Sequence, residues 1–130
     1  MKIILDTNFL MAVPQFKIDI FSEIERIADF KYELFILDKT IDELNDIMKI
    51  QKGKHKLAAS LALQIAKTNG IREIKTGDGK TDDLIVECAG KGVLIATQDK
   101  ELKRRVKAKG AGIIDIRKKS FLKIENPSVL

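Results

Sequence analysis

Four acids stand where a folded chain brings carboxylates together: Asp6, Glu43, Asp82 and Asp99. Each lies at or just beyond an end of a short apolar run. Lys2-Ile3-Ile4-Leu5 stops at Asp6-Thr7-Asn8, and the run from Phe30 to Leu37 stops at Asp38, with Glu43 close behind. Asp82 and Asp83 precede Leu84-Ile85-Val86, and Val93-Leu94-Ile95-Ala96-Thr97 gives way to Gln98-Asp99. Carboxylates packed into one hollow repel and raise one another's pKa unless a cation neutralises them. Oxygen ligands without His or Cys point to a hard divalent ion, Mg²⁺ or Mn²⁺, rather than zinc. Such a centre suits phosphodiester hydrolysis, in which the ion activates water and offsets charge on the phosphoryl oxygens.

Singly, each acid has a plainer explanation. Glu43 completes a capping box with Thr40, Asp82 and Asp99 are natural N-caps, and Asp6 can cap a following helix. Capping and ligation are compatible, however, and capping does not explain why Asp6, Thr7 and Asn8 cluster at one strand end.

The elements that must position these acids follow from periodicity. A short apolar run bounded by polar residues fits a strand buried on both faces of a parallel sheet, and ligands collect beyond the carboxyl ends of such strands. Strands are expected at 2–5, 30–37, 71–75, 93–97 and 113–116, with a further extended piece at 121–124 before Asn126-Pro127. Ile18, Phe21, Ile24 and Ile27 recur every three residues and predict one amphipathic helix over 15–29. Thr40 and Glu43 predict a helix start at Thr40. Another helix is expected over 54–69, with Leu57, Leu61 and Ile65 on one face and Asn69-Gly70 as a left-handed cap. Shorter helices follow Thr81 and fill 99–109, the latter strongly basic and closed by Gly110. Strands alternating with helices predict a three-layer α/β/α fold, its parallel sheet covered on both faces by right-handed crossovers.

Composition bounds the rest. At 130 residues, 45% hydrophobic and 33% charged, the chain reads as one domain, residues 1–130, with 117–130 a basic tail. No apolar stretch nears the roughly 20 residues that cross a bilayer and no signal-peptide pattern opens the chain, so a cytoplasmic protein without membrane contact is expected. The single cysteine, Cys88, excludes an internal disulfide and a multi-thiolate zinc site and reads as a buried thiol, and the lone His55 reads as a surface residue between two lysines. The net charge is +5, and basic residues crowd between Lys100 and Lys123. They make either a solvated face or a phosphate-binding one, for which the candidates are Lys100, Lys103, Arg104, Arg105 and Lys107. With six Phe, one Tyr and no Trp, base stacking does not dominate.

Two motifs fail on spacing. Gly79-Lys80-Thr81 resembles the end of a P-loop, but Ile74 stands where the first glycine belongs. An aspartyl-phosphate enzyme of the haloacid dehalogenase kind needs an aspartate where Asn8 stands.

Ile4-Leu5-Asp6-Thr7-Asn8, Glu43, Thr81-Asp82-Asp83-Leu84-Ile85 and Ala96-Thr97-Gln98-Asp99-Lys100-Glu101-Leu102 together resemble the PIN domain, in order and spacing, over essentially the whole chain. The resemblance implies a five-stranded parallel sheet in the order 3-2-1-4-5, Mg²⁺- or Mn²⁺-dependent cleavage of single-stranded or structured RNA, and a homodimer. By position, Asp6, Glu43, Asp82 and Asp99 match the family's acidic metal-site residues, Thr97 its hydroxyl and Asn8 a supporting polar residue. Asp83 is the alternative to Asp82 as ligand, or a supporting neighbour, and Asp38 is an outsider. Residues 96–102 and the basic helix look like the Fcf1-like branch of ribosomal RNA processing; a VapC-like toxin held by a small antitoxin is the other branch. A PIN fold that binds RNA or assembles without cleaving is the competing class.

Overall fold

The computed structural model describes residues 1–68 and 70–125. At its centre is β1 (Lys2–Leu5), whose Ile3, Ile4 and Leu5 are all buried, as only a strand covered on both faces allows. It pairs in parallel with β2 (Glu33–Leu37) and β4 (Val93–Ala96); β3 (Ile71–Ile74) joins β2, and β5 (Gly112–Arg117) joins β4. The five parallel strands run in the expected order 3-2-1-4-5. The extended piece near the end of the chain becomes β6 (Phe121–Glu125), antiparallel to β5, so the sheet is six-stranded and mostly parallel. Asn69, expected in a cap, and Asn126-Pro127, expected as a strand stop, lie outside the described residues.

Side-chain alternation along the strands divides the core into two layers. Ile3, Leu5, Leu34, Ile36, Leu94, Ala96 and Ile114 face one helical layer: α1 (Thr7–Gln15), α2 (Ile20–Ile27), α3 (Asp38–Ile50) and α4 (Lys54–Ala66). Ile4, Leu37, Ile95 and Ile113 face the other, α5 (Thr81–Cys88) and α6 (Lys100–Ala108). Among the described residues no helix is long and apolar enough to cross a membrane.

Three helix expectations need correction. The helix expected over 15–29 is confined to α2, which Asp19 starts by accepting from the Ser22 N–H at 3.3 Å, and residues 7–15 form a separate helix, α1, that the periodicity does not predict. Helix α1 lacks an amphipathic signature since Thr7, Phe9, Leu10, Met11 and Val13 are all buried. Helix α3 begins at Asp38 rather than Thr40, and no capping box forms: Thr40 is buried inside the first turn and Glu43 reaches Thr7 instead. In α4 the buried stripe is Ala58, Ala59, Ala62, Leu63 and Ala66, while Leu57 is 60% exposed. Cys88 is half-buried rather than buried, and burial pushes its thiol pKa up.

The outer edge of β6 is closed by a helix. Glu23 Oε1 accepts from the Leu122 N–H at 3.0 Å and Arg26 donates to the Leu122 carbonyl at 3.0 Å, so an α2 ion pair occupies groups that a foreign strand would otherwise use.

Candidate active site

Register places the first half of the site. Leu5 lies opposite Ala96, so Asp6 and Thr97 leave neighbouring strands side by side at the carboxyl rim. Asp6 is 4% exposed; Oδ1 accepts from the Thr7 N–H at 2.8 Å and Oδ2 from the Thr97 hydroxyl at 3.0 Å. The same hydroxyl oxygen accepts from the Asp99 N–H at 3.1 Å, and Asp99 caps α6 by accepting from the Leu102 N–H at 2.9 Å. One hydroxyl thereby sets the positions of two carboxylates. Burial pushes the Asp6 pKa up to about 6; hydrogen bonds from Thr97 and Thr7 oppose this, and the charges of Asp82 and Glu43 add to it.

Helix starts supply the second half. Glu43, in the second turn of α3, accepts from the Thr7 hydroxyl at 3.0 Å, which also lies 3.4 Å from the Thr40 hydroxyl. Asp82 sits in the first turn of α5, whose N-cap is Lys80 rather than either aspartate. Burial raises the Asp82 pKa, Asp99, Glu43 and Asp83 raise it further, and Arg105 opposes them. Asn8, Glu43 and Asp82 line one cavity of about 450 Å³ with Gly79, Lys80 and Thr81.

The donor set fits a hard divalent ion chemically. It is all oxygen, its members repel, and its most buried member has its pKa pushed up to about 6 when no cation is beside it. The carboxylates are not drawn together into ligand geometry: among the described residues no group of three or more His, Cys, Asp or Glu side chains stands close enough to hold an ion. Glu43 and Asp82 border the same cavity, and it is there that an ion would have to draw them in.

Other sequence candidates go elsewhere. Asp83 does not line the cavity and pairs with Arg105 at 2.7 Å. Asp38 ties α3 to the loop after β3, accepting from the Thr76 hydroxyl at 2.6 Å, and that bond holds its carboxyl below the usual range. Four of the five basic candidates on α6 are already engaged: Lys103 with Asp115 at 3.0 Å, Arg104 with Glu101, Arg105 with Asp83, and Lys107 with Glu125 at 3.2 Å. Lys100 is exposed beside Asp99. His55 is exposed, as expected.

Gln98 was missed by sequence reasoning. Its amide oxygen accepts from the Ile116 N–H at 2.7 Å and its amide nitrogen donates to the Ile116 carbonyl at 3.3 Å, continuing the β4–β5 ladder with a side chain. The clamp fixes the turn from Thr97 to Asp99. Only its place between two candidate residues hinted at it.

Comparison with known proteins agrees with this geometry. The family model for a PIN-like domain matches residues 3–119. Ribonuclease VapC4 of Methanocaldococcus jannaschii is 36% identical over 127 residues, 95% of each chain. Ribonuclease VapC9 of Archaeoglobus fulgidus is 31% identical over 109 residues, 82% of this chain and 76% of its own. The solved structure of the PIN domain endonuclease Utp24 superimposes with a TM-score of 0.79 at 28% identity, covering 95% of this chain and 90% of that one. The strand order, the rim acids and these matches lead to one conclusion: the chain belongs to the PIN-like domain family.

Proposed function

We propose that the chain is a divalent-metal-dependent endoribonuclease in which Asp6, Glu43, Asp82 and Asp99 hold Mg²⁺ or Mn²⁺. The observation that carries this reading is Asp6: a nearly inaccessible carboxylate raised to about pH 6 beside Glu43 and Asp82, an arrangement that costs stability unless a cation or proton relieves it. When bound, the ion supplies Lewis acidity toward a phosphoryl oxygen and acidifies the attacking water. Thr97 fixes the Asp6 carboxylate, Thr7 holds Glu43 toward the cavity, and Gln98 keeps the Thr97–Asp99 turn in register. Asn8 and Lys80, on the cavity wall, are placed to orient the substrate backbone. Asp83 supports the site through Arg105 rather than as a ligand.

Two relatives carry the name Ribonuclease VapC at 36% and 31% identity. They favour the toxin branch, with RNA as substrate and a small antitoxin as partner, over ribosomal RNA processing. A short antitoxin-like reading frame beside the gene is the corresponding genomic check.

The decisive experiment incubates a panel of labelled RNAs with the purified protein in Mg²⁺, in Mn²⁺ and in chelator, alongside Asp6→Asn. Metal-dependent cuts that vanish in the variant support the reading. RNA binding without cuts under every condition, unchanged by Asp6→Asn, would show a binding module that has kept only the fold.

A further inference from the structure

The helix α6 cations are largely spent on internal ion pairs, so a polyanion approaching the acidic rim needs positive charge from elsewhere. Three exposed lysines without an ion-pair partner among the described residues supply it: Lys17, Lys118 and Lys119. They share a second property. Among the described residues they are the non-glycine residues with positive φ, at 55°, 52° and 52°.

That conformation is unfavourable for a side chain with a Cβ, and each site has a better-suited alternative. Lys17 ends α1 in a Schellman arrangement, with the Lys17 N–H on the Pro14 carbonyl at 3.1 Å and the Ile18 N–H on the Val13 carbonyl at 2.9 Å. Helix α6 ends in the same arrangement, the Ala111 N–H on the Val106 carbonyl at 3.1 Å, and there the left-handed position holds Gly110 at φ 90°. Lys118 and Lys119 are the central residues of the β5–β6 turn, closed by the Ser120 N–H on the Arg117 carbonyl at 3.0 Å. Positive φ at both central positions is the type I′ signature, for which Asn-Gly is the usual pair. Lysine thus stands three times where glycine or asparagine is conformationally better, and backbone strain of this kind concentrates at functional sites.

The three lysines also come together in space. Lys119 Nζ lies 5.9 Å from the centre of the Phe16 ring, and Phe16 precedes Lys17. Strand β5 carries this cluster to the same side of the sheet as the site: Ile114 lies opposite Ala96 at the rim, and β5 runs on to Arg117, roughly 10 Å further at about 3.3 Å per residue, before the turn.

We infer that Lys17, Lys118 and Lys119, around Phe16, form the docking surface for the RNA phosphate backbone, leading the strand to the acidic rim. The inference rests on the ribonuclease reading for the identity of the polyanion. Phosphate contact by lysine needs reach and charge rather than a fixed fork, which suits a mobile ammonium on an exposed turn.

Glycine substitution separates binding from folding, since it removes the charge and relieves the backbone at once. Binding of labelled oligouridylate, in chelator and over a range of salt, is compared for the natural protein, Lys17→Gly, the pair Lys118→Gly and Lys119→Gly, and Arg104→Gln on α6. The paired variant is expected to melt no lower than the natural protein, to bind about tenfold more weakly, and to show a log K against log salt slope shallower by about 1.4, two phosphates at roughly 0.7 each. Lys17→Gly is expected to lose about half of that slope, and Arg104→Gln to bind within twofold of the natural protein. Unchanged affinity and slope in the glycine variants, with cleavage intact, overturns this surface and leaves the ribonuclease reading standing. No RNA bound or cut by the natural protein overturns that reading and this surface with it. Polyglutamate binding that is lost in the glycine variants while RNA binding persists overturns it in favour of an acidic polypeptide.

Discussion

Asp6 combines structure and chemistry in one side chain. As the N-cap it holds the start of α1, and as a carboxylate it sits almost without solvent beside Glu43 and Asp82, which raises its pKa to about 6. The sign of the stability effect follows. A carboxyl whose folded pKa lies above its ordinary value stabilises the fold fully when protonated, below about pH 4, and that contribution is lost as pH rises through about 6. Keeping it ionised at pH 7 costs roughly 3 kcal/mol before any cation binds. Asp6→Asn is therefore expected to raise the melting temperature of the chelator-treated protein at pH 7.5 and not at pH 4, by a stabilisation of roughly 1–2 kcal/mol once the weaker hydrogen bonds from Thr7 and Thr97 to an uncharged amide are discounted. Thermal melts at the two pH values check it; equal shifts at both would show that charge is not the cause. Mn²⁺ should stabilise the natural protein at pH 7.5 and progressively less below pH 6, as Asp6 takes up its proton. At this scale the sequence was informative where residues are close neighbours, as in Asp6-Thr7-Asn8. The Thr7–Glu43 and Thr97–Asp6 bonds span 36 and 91 residues, and no local pattern encodes them.

The elements show which signals survive folding. Buried strands were legible because continuous apolar runs have few alternatives at that length. Helix α1 was not, since a helix covered nearly all round has no polar face to mark its period. In α4 the largest apolar residues suggested the wrong face. The contact with α1 and α3 is close and takes alanines, while Leu57 and Leu61 border an open cavity of about 520 Å³ with Pro14 and His55. Size, not hydrophobicity, decides which residues enter such an interface. Ala62→Leu is accordingly expected to cost about 1–3 kcal/mol by overpacking a position that is 0% exposed, whereas Leu57→Lys stays within about 0.5 kcal/mol. Urea titrations of the two variants rank them; a larger loss for Leu57→Lys would mean that the leucine face is the packed one.

At the scale of the molecule, charge is where sequence and structure part most. A net charge of +5 and a run of basic residues on one helix imply a nucleic-acid face, yet of the acids that pair with that helix only Glu101 is its own, and Asp83, Asp115 and Glu125 come from other elements. Asp115 is their centre: it sits 4% exposed on β5, receives Lys103 at 3.0 Å and Arg117 at 2.9 Å, and Arg117 and Lys107 continue to Glu125 on β6. Burial acts to raise its pKa, but the side chains of Arg117, Glu125 and Lys103 outweigh it and hold the carboxyl below the usual range. Its stabilisation is therefore present above the ordinary carboxylate pKa and lost as pH falls through the lowered one, opposite in sign to Asp6. The network docks α6 on β5, and α6 starts at Asp99, so the rim depends on it from a distance. Asp115→Leu strands the mostly buried Lys103 ammonium and is expected to destabilise the protein by about 3 kcal/mol at pH 7. Adding Lys103→Met removes the orphaned charge and should recover most of the loss, a coupling of roughly 2 kcal/mol in a double-mutant cycle by urea unfolding. Strictly additive losses would show that Asp115 acts through Arg117 and β6 alone, and that α6 is seated by its apolar contacts.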